Sequence, residues 1–198
     1  SSFGVWMYTF KALTEEKVVA ELYVSKKTFK DGVPTFTVRY VPKNEAPAIP
    51  FWGNSLDDSA NNEYRADMQG DQVFVDSNFI RWENWSTLVG FKPVYKTYRV
   101  KSDFQDLIDR DKYKSSAFEM NGGQDGFIKE FSANKDTWGW LVQSAFLSSA
   151  GTNVTDKDQR YDVIVTKDAV VLESRKLRVE SIKCNNNRML TLYFRLNI

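Results

Sequence analysis

Hydrophobic and polar residues alternate with a period of two along much of this chain, the spacing that turns one side of an extended strand to a core and the other to solvent. In "PTFTVRYVP" (34–42), Phe36, Val38 and Tyr40 share one face while Thr35, Thr37, Arg39 and Val41 take the other. The runs "VWMYTF" (5–10), "KVVAELYVS" (17–25), "QVFVDS" (72–77) and "KPVYKTYRVKS" (92–102) carry the same signal; in the last, Val94, Lys96, Tyr98 and Val100 alternate with Tyr95, Thr97 and Arg99. Toward the end of the chain "RYDVIVT", "AVVLES", "KLRVESIKC" and "MLTLYFRLNI" follow one another across the short separators "KD", "RK" and "NNNR", which predicts antiparallel hairpins. Asp31-Gly32 in "KDGV" supplies residues at ease with positive φ and predicts a hairpin turn.

Helical signals are fewer. In "SDFQDLIDRDK", Ser102 and Gln105 form a capping-box pattern and Phe104, Leu107 and Ile108 fall on one helical face, so a short helix is expected. The stretch "NFIRWENWSTLVGF" (78–91) reads two ways. As a helix it gathers Trp82, Trp85, Leu88 and Val89 into one ~120° sector that faces a core and leaves Asn84 off it. As a strand it points Trp82 and Trp85 to opposite faces. The helix accounts for more of the residues, so the stretch is expected to pack. In "DTWGWLVQSAFL", Trp138, Trp140 and Val142 alternate around Gly139, which favours a strand over a helix. Residues 43–70 hold prolines and little periodicity and read as a long irregular excursion. Many strands, one or two short helices and no βαβ alternation predict a mainly β chain: one domain over 1–198, an antiparallel β-sandwich of jelly-roll type.

Composition changes this picture mainly by exclusion. Lys+Arg total 27 against Asp+Glu 26, so no global field draws nucleic acid or anionic membrane to the protein. The chain has no histidine, which removes serine–histidine and cysteine–histidine hydrolysis, histidine-ligated metal sites and histidine general bases. Cys184 stands alone, so neither an internal disulfide nor a Cys-x-x-Cys motif exists. "NGGQDG" (121–126) lacks the Lys-Ser/Thr ending of a phosphate loop and reads as a turn. No apolar run approaches the ~18 residues of a membrane span, and "SSFGVWMYTF" lacks the features of a signal peptide. The sequons at Asn84 and Asn153 fit a secreted glycoprotein, and a virion or extracellular setting is preferred to a cytoplasmic one. No cofactor and no metal are expected.

Some chemistry survives the exclusions. A carboxylate pair runs glycoside hydrolysis without histidine, and Glu83, Glu119, Glu130 and Glu173 lie beside aromatic residues or in strand-like runs. "DAVVLESRK" (168–176) loosely echoes a metal-dependent nuclease, with Arg175 where a lysine belongs. "NSLDDSANNEYRAD" (54–67) is rich in oxygen ligands but lacks EF-hand spacing. Lys92, Lys96, Arg99 and Lys101, interleaved with Tyr95 and Tyr98, form a basic stripe of the kind that holds single-stranded nucleic acid, although lysines on the outer face of a sheet are the plainer explanation. Tryptophans stack sugars or anchor interfaces. Trp52 stands out because it sits in the irregular "IPFWGNS", and with Phe51, Tyr64, Trp82 and Trp85 it makes the candidate binding set.

The order of "TVRYVPKNEAP", "VFVDSNF", "TWGWLVQSAF" and the closing "NNRMLTLYFRLNI" resembles that of single jelly-roll viral coat proteins. The resemblance implies a capsid-type subunit that works through self-association or another protein subunit. The chain departs from that family in lacking an arginine-rich N-terminal arm, which points to a subunit or spike role over genome packaging. The alternatives are a carbohydrate- or receptor-binding module and a histidine-free glycoside hydrolase.

Overall fold

The computed structural model describes residues 11–12, 16–43, 63–85, 92–121, 123, 133 and 135–175. Two antiparallel sheets pack face to face. The first has β1 (Lys11–Ala12) and β8 (Ala117–Glu119) on one edge of β7 (Val94–Asp103), then β6 (Gln72–Trp82) and β9 (Val142–Asn153). The second runs from β11 (Val170–Ser174) through β10 (Gln159–Val165) to β2 (Lys17–Val24) and β4 (Val33–Pro42). There β3 (Thr28–Lys30) continues the line of β2 along one edge of β4, and β5 (Tyr64–Gln69) pairs with the other edge. Two short helices, α1 (Leu107–Lys112) and α2 (Lys135–Trp138), complete the regular elements among the described residues. The antiparallel sandwich expected from the alternation is therefore the observed architecture.

The alternation does its work in β4, where Phe36, Val38 and Tyr40 are buried and Thr35, Thr37 and Arg39 lie on the outward face. Leu22, Val24, Phe36 and Val38 from the second sheet meet Val73, Val75, Phe79 and Val100 from the first in one apolar core. The β3–β4 turn uses Asp31 and Gly32, both at positive φ (53° and 77°), as the sequence predicts. The two sheets are tied along one side by serines. The Ser102 hydroxyl donates to the Gln69 carbonyl, the Ser116 N–H donates to Ser102 Oγ at 2.9 Å, and the Gln69 N–H donates to Ser116 Oγ at 3.1 Å. On the opposite side the Val170 N–H of β11 donates to Ser148 Oγ of β9 at 3.1 Å.

Several expectations need correction. The excursion ends early, because residues 64–69 form β5 and pair with β4. Ser102 belongs to β7, with its hydroxyl committed to the sheet junction; the N-cap of α1 is Asp106, whose carboxylate accepts the Ile108 N–H at 2.8 Å. Leu107 and Ile108 are exposed, and only Phe104, ahead of the helix, is buried. The Trp-Gly-Trp segment is no strand: Trp138 ends α2 and Gly139–Trp140 form a turn before β9. Residues 78–82 belong to β6, and the backbone becomes helical only at Asn84–Trp85, so the helical reading fails for the first half of that stretch. Finally, the register of β7 against β6 shifts between Asp76 and Ser77, leaving Tyr98 as an extra residue. That bulge reverses parity, so Val94 and Lys96 share the outward face while Val100 faces the core opposite Val75. The runs at 5–10 and beyond Arg175 lie outside the described residues.

Candidate interaction surface

Strand β6 runs through the middle of the first sheet, and its outward residues Asp76, Asn78, Ile80 and Trp82 are all buried. Asp76 is 3% exposed. Its Oδ2 accepts Arg99 Nε at 2.8 Å, Arg99 Nη2 at 2.6 Å and Lys101 Nζ at 3.1 Å, and its Oδ1 accepts the Ser149 hydroxyl at 2.5 Å. These groups come from three adjacent strands. Burial pushes the Asp76 carboxyl up, but hydrogen bonds from Ser149, Arg99 and Lys101 outweigh it and hold the pKa below the ordinary carboxylate value. The same burial, with the Asp76 charge beside it, raises the Tyr98 phenol. One step along the strand, the Asn78 amide is fully buried with neither its Oδ1 nor its Nδ2 hydrogen-bonded.

The basic stripe is thus a structural network. Arg99 and Lys101 converge on Asp76, Lys96 is 1% exposed, and of the four only Lys92 is exposed. A second network covers the outward face of the other sheet. Glu21 accepts the Tyr23 hydroxyl at 2.6 Å and Arg160 Nη2 at 2.6 Å, and Arg175 Nε donates to Asp162 at 2.9 Å. Burial raises the Glu21 carboxyl, and Tyr23 with Arg160 brings it below its ordinary value.

The open aromatic surface lies at the end of the β6–β9 ribbon. The ladder passes Trp82↔Val142 and closes with the Glu83 N–H donating to the Leu141 carbonyl at 2.9 Å. Beyond it one chain turns helical at Asn84–Trp85 and the other enters from the Gly139–Trp140 turn. The two indoles stack at 5.7 Å between centroids and 9° between planes, and Trp85 Nε1 donates to the Trp140 carbonyl at 2.7 Å. Trp85 is 46% exposed and Trp140 62%. With ~150–250 Å² per aromatic side chain, the pair leaves roughly 200 Å² of ring surface in water. Behind it Trp82 is buried, with Nε1 donating to the Lys92 carbonyl at 2.7 Å.

Of the binding set read from sequence, Trp85 is therefore at the surface and Trp82 is packing. Tyr64 sits elsewhere, stacked on Phe118 at 6.3 Å between the sheets. Phe51 and Trp52 lie outside the described residues, as do Glu130, Cys184 and most of the oxygen-rich segment. Of the carboxylates considered for hydrolysis, Glu119 on β8 and Glu173 on β11 lie at opposite sides of the sandwich, both exposed, and Glu83 closes the β6–β9 ladder. The nuclease echo dissolves into pairings of Asp168 with Arg81 and of Arg175 with Asp162. Both sequon asparagines, Asn84 and Asn153, are exposed. A groove of about 530 Å³, lined by Lys26, Lys30, Phe36, Asp67, Met68 and Asp158 among others, opens over β3–β5, away from the described tryptophans.

Sequence reasoning missed Asp76 and Trp140. An acid at a period-two position inside "VFVDSNF" and a glycine between two tryptophans were the available signals. No helix among the described residues is long and apolar enough to cross a membrane. Comparison of the chain with protein-family models, with curated proteins and with solved structures finds no match.

Proposed function

We propose that the protein is a non-enzymatic structural subunit, of the virion or capsid type, that works by protein–protein association through the Trp85–Trp140 surface. The observation that carries this reading is the stacked pair of indoles held in solvent at 46% and 62% exposure. Burying their ~200 Å² at ~25 cal/mol per Å² releases about 5 kcal/mol before association costs, the scale of an interface anchor. The buried Asp76 and the half-buried Glu21 add support. Asp76 and Glu21 are held below their ordinary pKa by cations and hydroxyls, the opposite of the raised carboxyl that a glycosidase general acid needs. Two packed antiparallel sheets are compatible with the jelly-roll connectivity that the resemblance implies, and that connectivity belongs to the same proposal.

Sedimentation velocity over a concentration series tests the reading. Wild type is expected to associate, and Trp140→Ala to weaken association by about tenfold or more. A wild-type chain that stays monomeric, or a Trp140→Ala chain that assembles as wild type does, overturns it. If a glycan array instead shows binding that Trp140→Ala abolishes, the indole face serves a sugar ring and the carbohydrate-binding alternative replaces association.

A further inference from the structure

We infer that Lys96 and Asn78 condense into an intramolecular isopeptide bond, which ties β7 to β6 on the outward face of the first sheet. The inference goes beyond the association reading and stands without it. In the β6–β7 register Asn78 lies directly opposite Lys96, so the two side chains leave the same face of the sheet. Asn78 is 0% exposed and Lys96 1%. The next outward pair along the ladder, Ile80 and Val94, is apolar and buried at 1% and 2%, so one side of the site is closed to water. Among the described residues neither polar atom of the Asn78 carboxamide has a hydrogen-bond partner, so no hydrogen bond of the amide has to break before it reacts. An ammonium costs far more to hold out of water than a neutral amide does, and condensation replaces the first by the second.

The reach is sufficient. Directly opposed strand residues set their Cβ atoms ~4.5–5.5 Å apart, a gap that the flexible four-carbon stem of lysine spans. Two paired strands hold amine and amide side by side, which turns a bimolecular encounter into a unimolecular one. In the reaction Lys96 Nζ adds to Asn78 Cγ, the Nζ–Cγ bond forms and the Cγ–Nδ2 bond breaks. In becoming an amide nitrogen, the ammonium Nζ gives up two protons. Both end on Nδ2, which departs as ammonium. Atoms and charge balance within the pair, and the step needs no oxidant, reductant or co-reactant. The product fixes the register of β7 on β6 below the bulge at Tyr98, where the ladder is irregular.

Mass spectrometry of the purified wild-type chain reads the bond directly and depends on no variant's folding. The intact chain is expected to be one ammonia lighter than its sequence. Trypsin should fail to cut after Lys96 and should release a branched peptide that joins 66–81 to 82–99. Lys96→Arg keeps a cation but removes the nucleophilic amine, and is expected to show its full sequence mass. A wild type at full mass that trypsin cuts after Lys96 overturns the bond, as does an ammonia loss that persists in Lys96→Arg. The outcome is separable from the association reading. A wild type that associates at full mass removes the bond alone, and a linked chain that stays monomeric removes the association reading alone.

Discussion

Asp76→Asn removes one negative charge from beneath two cations and keeps the side-chain shape, so its cost can be estimated from the contacts. In wild type the carboxylate accepts two hydrogen bonds from Arg99, one from Ser149 and a close ammonium from Lys101, at 3% exposure. Breaking a buried ion pair by removing one partner costs about 3–5 kcal/mol. Arg99 and Lys101 side chains are 31% and 34% exposed and can turn partly to water, so the low end applies, about 3 kcal/mol. The pH dependence follows from the depressed native pKa. The folded carboxylate binds its proton less readily than the unfolded one, whose pKa is about 3.9, so its stabilisation is complete above that value. It is lost as pH falls from there through the lower native pKa. The stability gap between wild type and Asp76→Asn should be constant between neutral pH and about 5, then narrow in acid. Urea unfolding followed by circular dichroism at a series of pH values measures it. A gap under about 1 kcal/mol at neutral pH, or one that does not narrow in acid, refutes the reasoning. Asp168→Asn is the control: its partner Arg81 is 36% exposed and Asp168 59%, so less than about 1 kcal/mol is expected.

Other substitutions read separate parts of the structure in the same unfolding assay. Gly151→Ala drives a methyl into the Phe74 ring and should cost about 1–3 kcal/mol, with a smaller cost in a Phe74→Ala background; equal costs in both backgrounds would mean the ring does not lie there. In a Lys96→Arg background, where no isopeptide bond forms, Asn78→Leu replaces a buried amide whose polar atoms have no partner among the described residues, and should be neutral or stabilising by about 1 kcal/mol; a clear destabilisation would show that the amide is satisfied. Trp82→Ala should cost about 3–5 kcal/mol and Trp140→Ala only about 1, the worth of the lost stack, so the second variant stays folded for the association test; equal losses would contradict the burial difference.

The sequence pattern was legible wherever a strand has one wet face. In β4 the alternation placed Phe36, Val38 and Tyr40 on the buried face correctly, because polar residues mark the outward side of that strand. In β6 and β7 the signal fails for two physical reasons. From Asp76 to Ile80 both faces of β6 are buried, so Asn78 and Ile80 carry no period-two contrast, and the bulge at Tyr98 reverses which face Val94 and Lys96 occupy. A periodic reading assumes constant parity and has no means of placing a bulge. Ser102 shows the competing pull of tertiary structure: its capping-box spacing is real, yet its hydroxyl satisfies Gln69 and the Ser116 N–H at the sheet junction, and the helix starts later on Asp106. The candidate sites were the least legible because their partners are distant in sequence. Ser149 lies 73 residues from Asp76 and Trp140 55 from Trp85, and each pair exists only because β6 and β9 hydrogen-bond side by side. Local spacing marks residues able to enter such a site, whereas strand pairing decides which of them meet. For that reason Lys101 and Arg99, which spacing alone offers as a nucleic-acid stripe or as plain outer-face charge, become the counter-ions of Asp76, and Trp85, whose stretch was expected to pack although it stood in the candidate binding set, becomes half of an exposed pair.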